Sequence, residues 1–101
     1  MIVRAIGPSL GSAGVSNPLA DPTLELHDSN GTLFAANDNW AESGAAPARA
    51  AFASVGAFDL NDVASKDAAL VVTVPAGAFT AQVSGVGAAT GEALVEIYEL
   101  P

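Results

Sequence analysis

The residues Thr23-Leu24-Glu25-Leu26-His27 alternate strictly between polar and apolar. A side-chain period of two belongs to an extended strand with one buried face. Leu24 and Leu26 are therefore expected to face a core, while Thr23, Glu25 and His27 face water. Asp28-Ser29-Asn30-Gly31 comes next, and Thr32–Ala36 reads as a returning strand. Asn-Gly between two apolar runs marks a hairpin, because both residues tolerate positive φ.

Extended patterns recur along the chain. Ile2–Ile6 is short and β-branched, and "GPSLGSAG" after it reads as a turn-rich loop. Ala45–Val55 is rich in helix formers, with Pro47 where a first helical turn accepts it, and is expected to end near Gly56. Leu70–Val74 then reads as a strand, "PAG" as a turn, and Ala78–Gly85 as a strand with Phe79, Ala81 and Val83 on one face. The glycine-rich stretch Gly85–Gly91 reads as a hairpin connection into a last strand over Glu92–Leu100. There Ala93, Val95 and Ile97 are expected to face the core, with Leu94 and Tyr98 forming a second apolar row beside Glu92 and Glu96. Six short strands and one helical interruption predict an all-β fold. The expected architecture is an antiparallel β-sandwich, jelly-roll or Ig-like, of six to eight strands with one short helical insertion around 45–56. At 101 residues the chain is one domain, 1–101. The expected core is Leu24, Leu26, Leu33, Leu70, Val72, Phe79, Val83, Val95 and Ile97.

Charge narrows the function classes. Eleven acidic residues against three Lys or Arg give a net charge of −8. Affinity for nucleic acid comes from Lys and Arg displacing counterions from phosphates, so no nucleic-acid partner is expected. Docking on an anionic membrane is disfavoured for the same reason. No apolar run reaches the roughly 18 residues that span a bilayer, so no membrane insertion is expected. Cysteine is absent, which excludes disulfides and thiolate metal sites. The opening segment is too short for a signal-peptide core; if the protein is secreted, its signal is expected to have been removed or to lie upstream.

Several stretches carry the letters of a functional motif. Gly7-Pro8-Ser9-Leu10-Gly11 matches a nucleophile elbow, with Asp21 and His27 following in hydrolase order. That elbow needs a strand, turn and helix in a large α/β sheet, and no helical pattern follows Ser9, so no catalytic residue is expected. Gly85–Gly91 has the wrong spacing for a dinucleotide loop and precedes a strand. Asp28-Ser29-Asn30-Gly31 places its glycine fourth, where a calcium-binding EF-hand loop wants it sixth. Asn37-Asp38-Asn39 could still offer oxygens to a hard cation, with Asp21 or Asp28 completing the shell. Asp28, Asn37, Asp38 and Asn39 are thus the calcium candidates, against an expectation of no metal or cofactor. The competing role for all of them is turn chemistry, their side chains bonding to nearby backbone amides. His27, the lone histidine, sits on a polar face and reads as a solvated residue. Trp40 could stack on a sugar, and otherwise anchors a core.

The segments "VRAIGPSL", "LADPTLELHDSNGTL", "NDNW", "VPAGAFTAQVSG" and "TGEALVEIYEL" together resemble a β-sandwich module recurring in large secreted and surface proteins of environmental bacteria. More loosely, Asp21, Leu24, Leu26, Asp28 and Gly31, then Gly77, Phe79, Val83 and Gly85, are similar to the pattern of the bacterial pre-peptidase C-terminal domain. The resemblance implies a secreted, extracellular or cell-surface protein that is accessory, adhesive or structural, not an enzyme. It also implies strand material ahead of "VRAIGPSL", which this sequence does not contain. Natural sheet edges are blunted by lysine, proline or a bulge. The first and last segments lack such devices apart from Arg4. Ile2, Val3, Ile6, Leu94, Val95 and Tyr98 are therefore expected to form an assembly edge that pairs with copies of the same chain, as an oligomer or filament. The alternative is an accessory module that binds polysaccharide or calcium for a larger secreted protein.

Overall fold

The computed structural model describes residues 1–42, 44–60, 62–74 and 77–99. Its elements in chain order are β1 (Ile2–Ile6), β2 (Pro22–Asp28), β3 (Leu33–Asn37), α1 (Ala45–Ser54), β4 (Ala68–Val71), β5 (Phe79–Gly85) and β6 (Leu94–Tyr98). A 3-10 helix over Pro8–Ala13 follows β1. The strands form two three-stranded sheets, ordered β4-β1-β6 and β3-β2-β5, and each described pairing within them is antiparallel. The described residues are thus mostly β with one short α-helix, an arrangement compatible with a β-sandwich. The "PAG" turn lies partly outside the described residues, as does Leu100 of the last expected strand.

The hairpin of β2 and β3 forms as its residues dictate. Asp28 Oδ1 accepts the backbone amides of Asn30 and Thr32, and Gly31 takes a φ of 80° that favours glycine. Leu24 and Leu26 turn inward and are buried. A bulge after Leu26 then places Ala35 opposite Leu26 but Leu33 opposite His27. The extra residue rotates Leu33 to the outer face, where it is 51 % exposed, so the expectation that Leu33 is core is corrected.

β1 occupies the middle of its sheet, and each of its five residues is buried. Alternation splits them between two cores. Val3 and Ala5 join Leu24, Leu26, Ala68 and Leu70 where the two sheets meet, with Val72, Phe79 and Val83 packed half-buried at the margin. Ile2 and Ile6 join Trp40, Phe52, Leu60 and Ala69 beneath α1 and the segments around it. α1 closes this second core through Phe52, its one buried residue, whose ring centroid lies 5.9 Å from that of Trp40. Ile2, Val3 and Ile6, expected at an edge, thus lie on the central strand.

Val95 and Ile97 were expected in the core and are instead 46 % and 60 % exposed. Their orientation explains the difference. Val95 lies opposite Ala5 and Ile97 opposite Val3, and residues paired across strands share a face. They therefore face the side on which β1 meets the second sheet. That sheet packs its β2 and β3 against β1 and β4, and β6 lies beyond the region it covers. The opposite face of β6 is the better covered one: Tyr98 packs against the Trp40–Phe52 core, while Leu94 stays 42 % exposed.

The stretch Gly85–Gly91 is not a hairpin connection. It crosses from one sheet to the other through a short 3-10 helix, Val86–Ala88. Leu19 is buried against it, and a Cβ on Gly91 would stand 2.8 Å from the Leu19 backbone. Close approach is the reason glycine sits there.

Candidate functional site

Backbone hydrogen bonds decide which strand edges are open. Met1 and Val72 exchange both of theirs, at 2.8 and 2.9 Å, so they form a hydrogen-bonded antiparallel pair. Bonding alternates along such a ladder. The odd residues of β1 therefore bond to β4 and the even ones to β6, making Ile2–Tyr98, Arg4–Glu96 and Ile6–Leu94 hydrogen-bonded pairs. It follows that β4 turns the N–H and C=O groups of Ala69 and Val71 away from β1, and β6 does the same with Val95 and Ile97.

The two outer edges of this sheet are finished differently. Ahead of β4, the Asp67 carbonyl accepts Trp40 N–H at 2.8 Å, and Ala69 N–H donates to Asn37 Oδ1 at 3.0 Å. The segment Asn37–Trp40 therefore closes the start of the β4 edge. On β6, no hydrogen bond is made to the backbone groups of Val95 or Ile97 among the described residues. No lysine or proline lies between Leu94 and Tyr98 to blunt it. Of the six residues expected at an assembly edge, Leu94, Val95 and Tyr98 lie on this open strand. Ile2, Val3 and Ile6 do not, because the central β1 has a neighbour on each side.

Behind the open edge lies a buried charge that sequence reasoning missed. Arg4 is fully buried on the face of β1 toward α1. Its Nε and Nη2 donate to Glu96 Oε1 at 2.9 and 2.7 Å, and its Nη1 donates to the Phe58 carbonyl at 2.7 Å. The guanidinium carbon lies 4.8 Å from the Phe52 ring centre and 4.4 Å from that of Phe58, within cation–π range. Tyr98 donates its hydroxyl to Glu96 Oε2 at 2.7 Å, a bond that holds the phenol above its ordinary pKa. One signal was available: Arg4 and Glu96 are the central charges of two apolar strands, and charges in such strands are paired when buried.

The calcium candidates do not form one site. Asn37 sits opposite Leu24, and Asp28 lies four residues further along β2, about 13 Å away at the rise of an extended strand. Asn37 Oδ1 accepts the Ala69 N–H, and its Nδ2 donates to the Asn39 carbonyl. Asn39 donates Nδ2 to Glu42 at 3.4 Å. Asp38 lies beside Asp21 instead. Burial, and then the adjoining Asp21 carboxyl, raise its pKa. Asp21 Oδ1 and Asp38 Oδ1 are both shut off from solvent without a hydrogen-bond partner, and Lys66 approaches Asp21 at 3.8 Å. Among the described residues, no group of three or more His, Cys, Asp or Glu side chains is placed to hold a metal.

Trp40 is buried, donating Nε1 to the Asp62 carbonyl at 3.1 Å, so it offers no stacking face for a sugar. Ser9 gives its hydroxyl to Asp67, a buried carboxylate that also accepts the Gly7 and Ser9 amides and the Ser65 hydroxyl. His27 is engaged elsewhere, with Glu25 and the Gly31 carbonyl. The serine, aspartate and histidine of the motif thus have separate partners. Among the described residues, no helix is long and apolar enough to cross a membrane.

No protein-family model, no curated protein and no solved structure matches this chain.

Proposed function

We propose that the chain is a β-sandwich module, jelly-roll or immunoglobulin-like, serving as an extracellular, non-enzymatic structural element. It associates with copies of itself by pairing strand edges, as an oligomer or filament. The observation that carries this reading is the contrast between the two edges of one sheet: the start of β4 is closed by Asn37 and Trp40, whereas β6 is open along Val95–Ile97 and carries no lysine or proline. An edge with unpaired N–H and C=O groups is a template for another strand, and natural sheets protect edges that are not used.

Hydrogen-bond parity gives a selective test. Val95 N–H points away from β1, so Val95→Pro removes a donor for a partner while leaving the β1–β6 ladder intact. Glu96→Pro removes a ladder bond and should unfold the sheet. Sedimentation of the parent chain is expected to show species larger than a monomer that grow with concentration. Val95→Pro should sediment as a folded monomer with a near-parental melting temperature. A parent chain that stays monomeric at high concentration would end the proposal. Deleting residues 1–5 is no test of assembly, because it removes the central strand of the sheet.

A further inference from the structure

We infer that the partner of β6 is β6 of a second copy, running antiparallel about a two-fold axis that passes beside Glu96; this rests on the edge-pairing reading above. The outward-facing residues Val95 and Ile97 lie symmetrically about Glu96, at the midpoint of Leu94–Tyr98. An antiparallel copy centred there sets Val95 against Ile97 of the second copy, and Ile97 against its Val95. Each of these is a hydrogen-bonded pair, so the N–H and C=O groups of all four residues are satisfied together. The pattern is self-complementary, which is the requirement for an isologous interface.

Side chains on both faces suit this pairing. On one face, the exposed Val95 and Ile97 of each copy become cross-strand neighbours and cover each other. On the other, the two Glu96 side chains would stand opposite one another, where like charges ordinarily repel. Each is already neutralised within its own chain by Arg4 and hydrogen-bonded by Tyr98. The buried charge cluster thereby makes a central glutamate tolerable at a self-pairing edge. The closed start of β4 disfavours the competing head-to-tail contact, in which β6 would add to β4 of the next copy. The product is a closed dimer with one six-stranded sheet, and any filament would need a second contact surface.

The chain has no cysteine, so cross-linking can read the register directly. In the proposed pairing, residue 95 faces residue 97 of the second copy at a Cα separation of about 5.5 Å, within reach of a disulfide. Residue 95 lies about 9 Å from its own equivalent, beyond that reach. Val95→Cys and Ile97→Cys are prepared separately, checked for near-parental melting, and oxidised alone and as an equimolar mixture. The mixture is expected to give a covalent dimer, with little from either variant alone. As a readout free of substitutions, the Val95 and Ile97 amides of the parent chain should gain protection from hydrogen exchange as concentration rises. The Leu94 and Glu96 amides, bonded to β1, should be protected throughout. Cross-linking of either variant alone as efficiently as the mixture refutes the register. An unlinked mixture from a chain that still sediments as an oligomer refutes the β6–β6 partner but not self-association. A monomeric parent with unprotected Val95 and Ile97 amides refutes both.

Discussion

Removing Glu96 should damage the fold more than removing the arginine it binds. Arg4 is 0 % exposed and Glu96 17 % exposed, so the two ends of the ion pair differ in their access to water. Glu96→Leu leaves the guanidinium enclosed by Phe52, Phe58 and β1, with the Phe58 carbonyl as its remaining strong acceptor. Breaking a buried pair by removing one partner costs about 3–5 kcal/mol. That is a large share of the roughly 5–15 kcal/mol that stabilises a domain. Arg4→Met leaves a carboxylate that reaches solvent and keeps the Tyr98 hydroxyl, so its cost falls to about 1–3 kcal/mol. The double variant Arg4→Met/Glu96→Leu replaces the pair by apolar side chains, a change that is often neutral or stabilising. It is expected within about 1–2 kcal/mol of the parent, a coupling of at least about 2 kcal/mol. Urea unfolding followed by circular dichroism, at a concentration where the chain is monomeric, measures all four proteins. Additive single effects, or an Arg4→Met loss larger than that of Glu96→Leu, would refute the reasoning.

Other perturbations test the remaining parts. Burial and then Asp21 hold the Asp38 carboxyl above its usual range, so the folded chain binds more protons than the unfolded one between pH 3.8 and that raised value. Stability is then lost as pH rises through this window, and Asp38→Asn should raise the melting temperature at pH 7 but hardly at pH 3; equal shifts at both would contradict it. His27 is raised above 6.5, first by its hydrogen bond to Glu25 and then by the Gly31 carbonyl. Its contribution to stability is complete below pH 6.5 and is lost as pH passes the folded value; an NMR titration of Glu25→Gln should show the ring returning toward 6.5. Phe52→Ala empties the core beneath α1 and should cost about 3–5 kcal/mol. Phe79→Ala removes a half-buried ring in edge-on contact with Phe34, and should cost less, about 1–3 kcal/mol by urea unfolding. Equal losses for the two would mean that the open side of the fold is better packed than the exposure of Val95 and Ile97 implies.

Local patterns were legible in the sequence wherever they were self-contained. Thr23–His27 declared its faces, Asn30-Gly31 its hairpin, and Ala45–Val55 its helix, because alternation, positive φ and helix propensity act within a few residues. Strand order was not legible, since nothing local states which strand stands between which. Ile2–Ile6 therefore read as an edge although it is the centre, and its apolar character suited either position. The same limit explains Val95 and Ile97: alternation assigned them the right face, but only the second sheet could show that the face is uncovered. Leu33 was lost to a single bulge residue, which reverses sidedness without altering composition. The site candidates followed the same division. Asp28 could be read as a turn residue from its neighbours. Asn37 as the closure of β4, and Arg4 as the counter-ion of Glu96, required contacts across 32 and 92 positions of chain.

The central place of β1 also sets the order in which the molecule can fold. Its neighbours are Ala68–Val71 and Leu94–Tyr98, so the earliest strand in the chain pairs only with two of the latest. The β2–β3 hairpin can close while the chain is still short, but the sheet around β1 must first close loops spanning most of the sequence. Such non-local topology places a small β-protein among the slower folders, in milliseconds to seconds. During synthesis Ile2–Ile6 would wait, apolar and unpaired, until β4 had been made, and would keep one edge unpaired until β6 followed. A chaperone that shields a short apolar strand during that interval should raise the yield of folded chain far more than one acting after release.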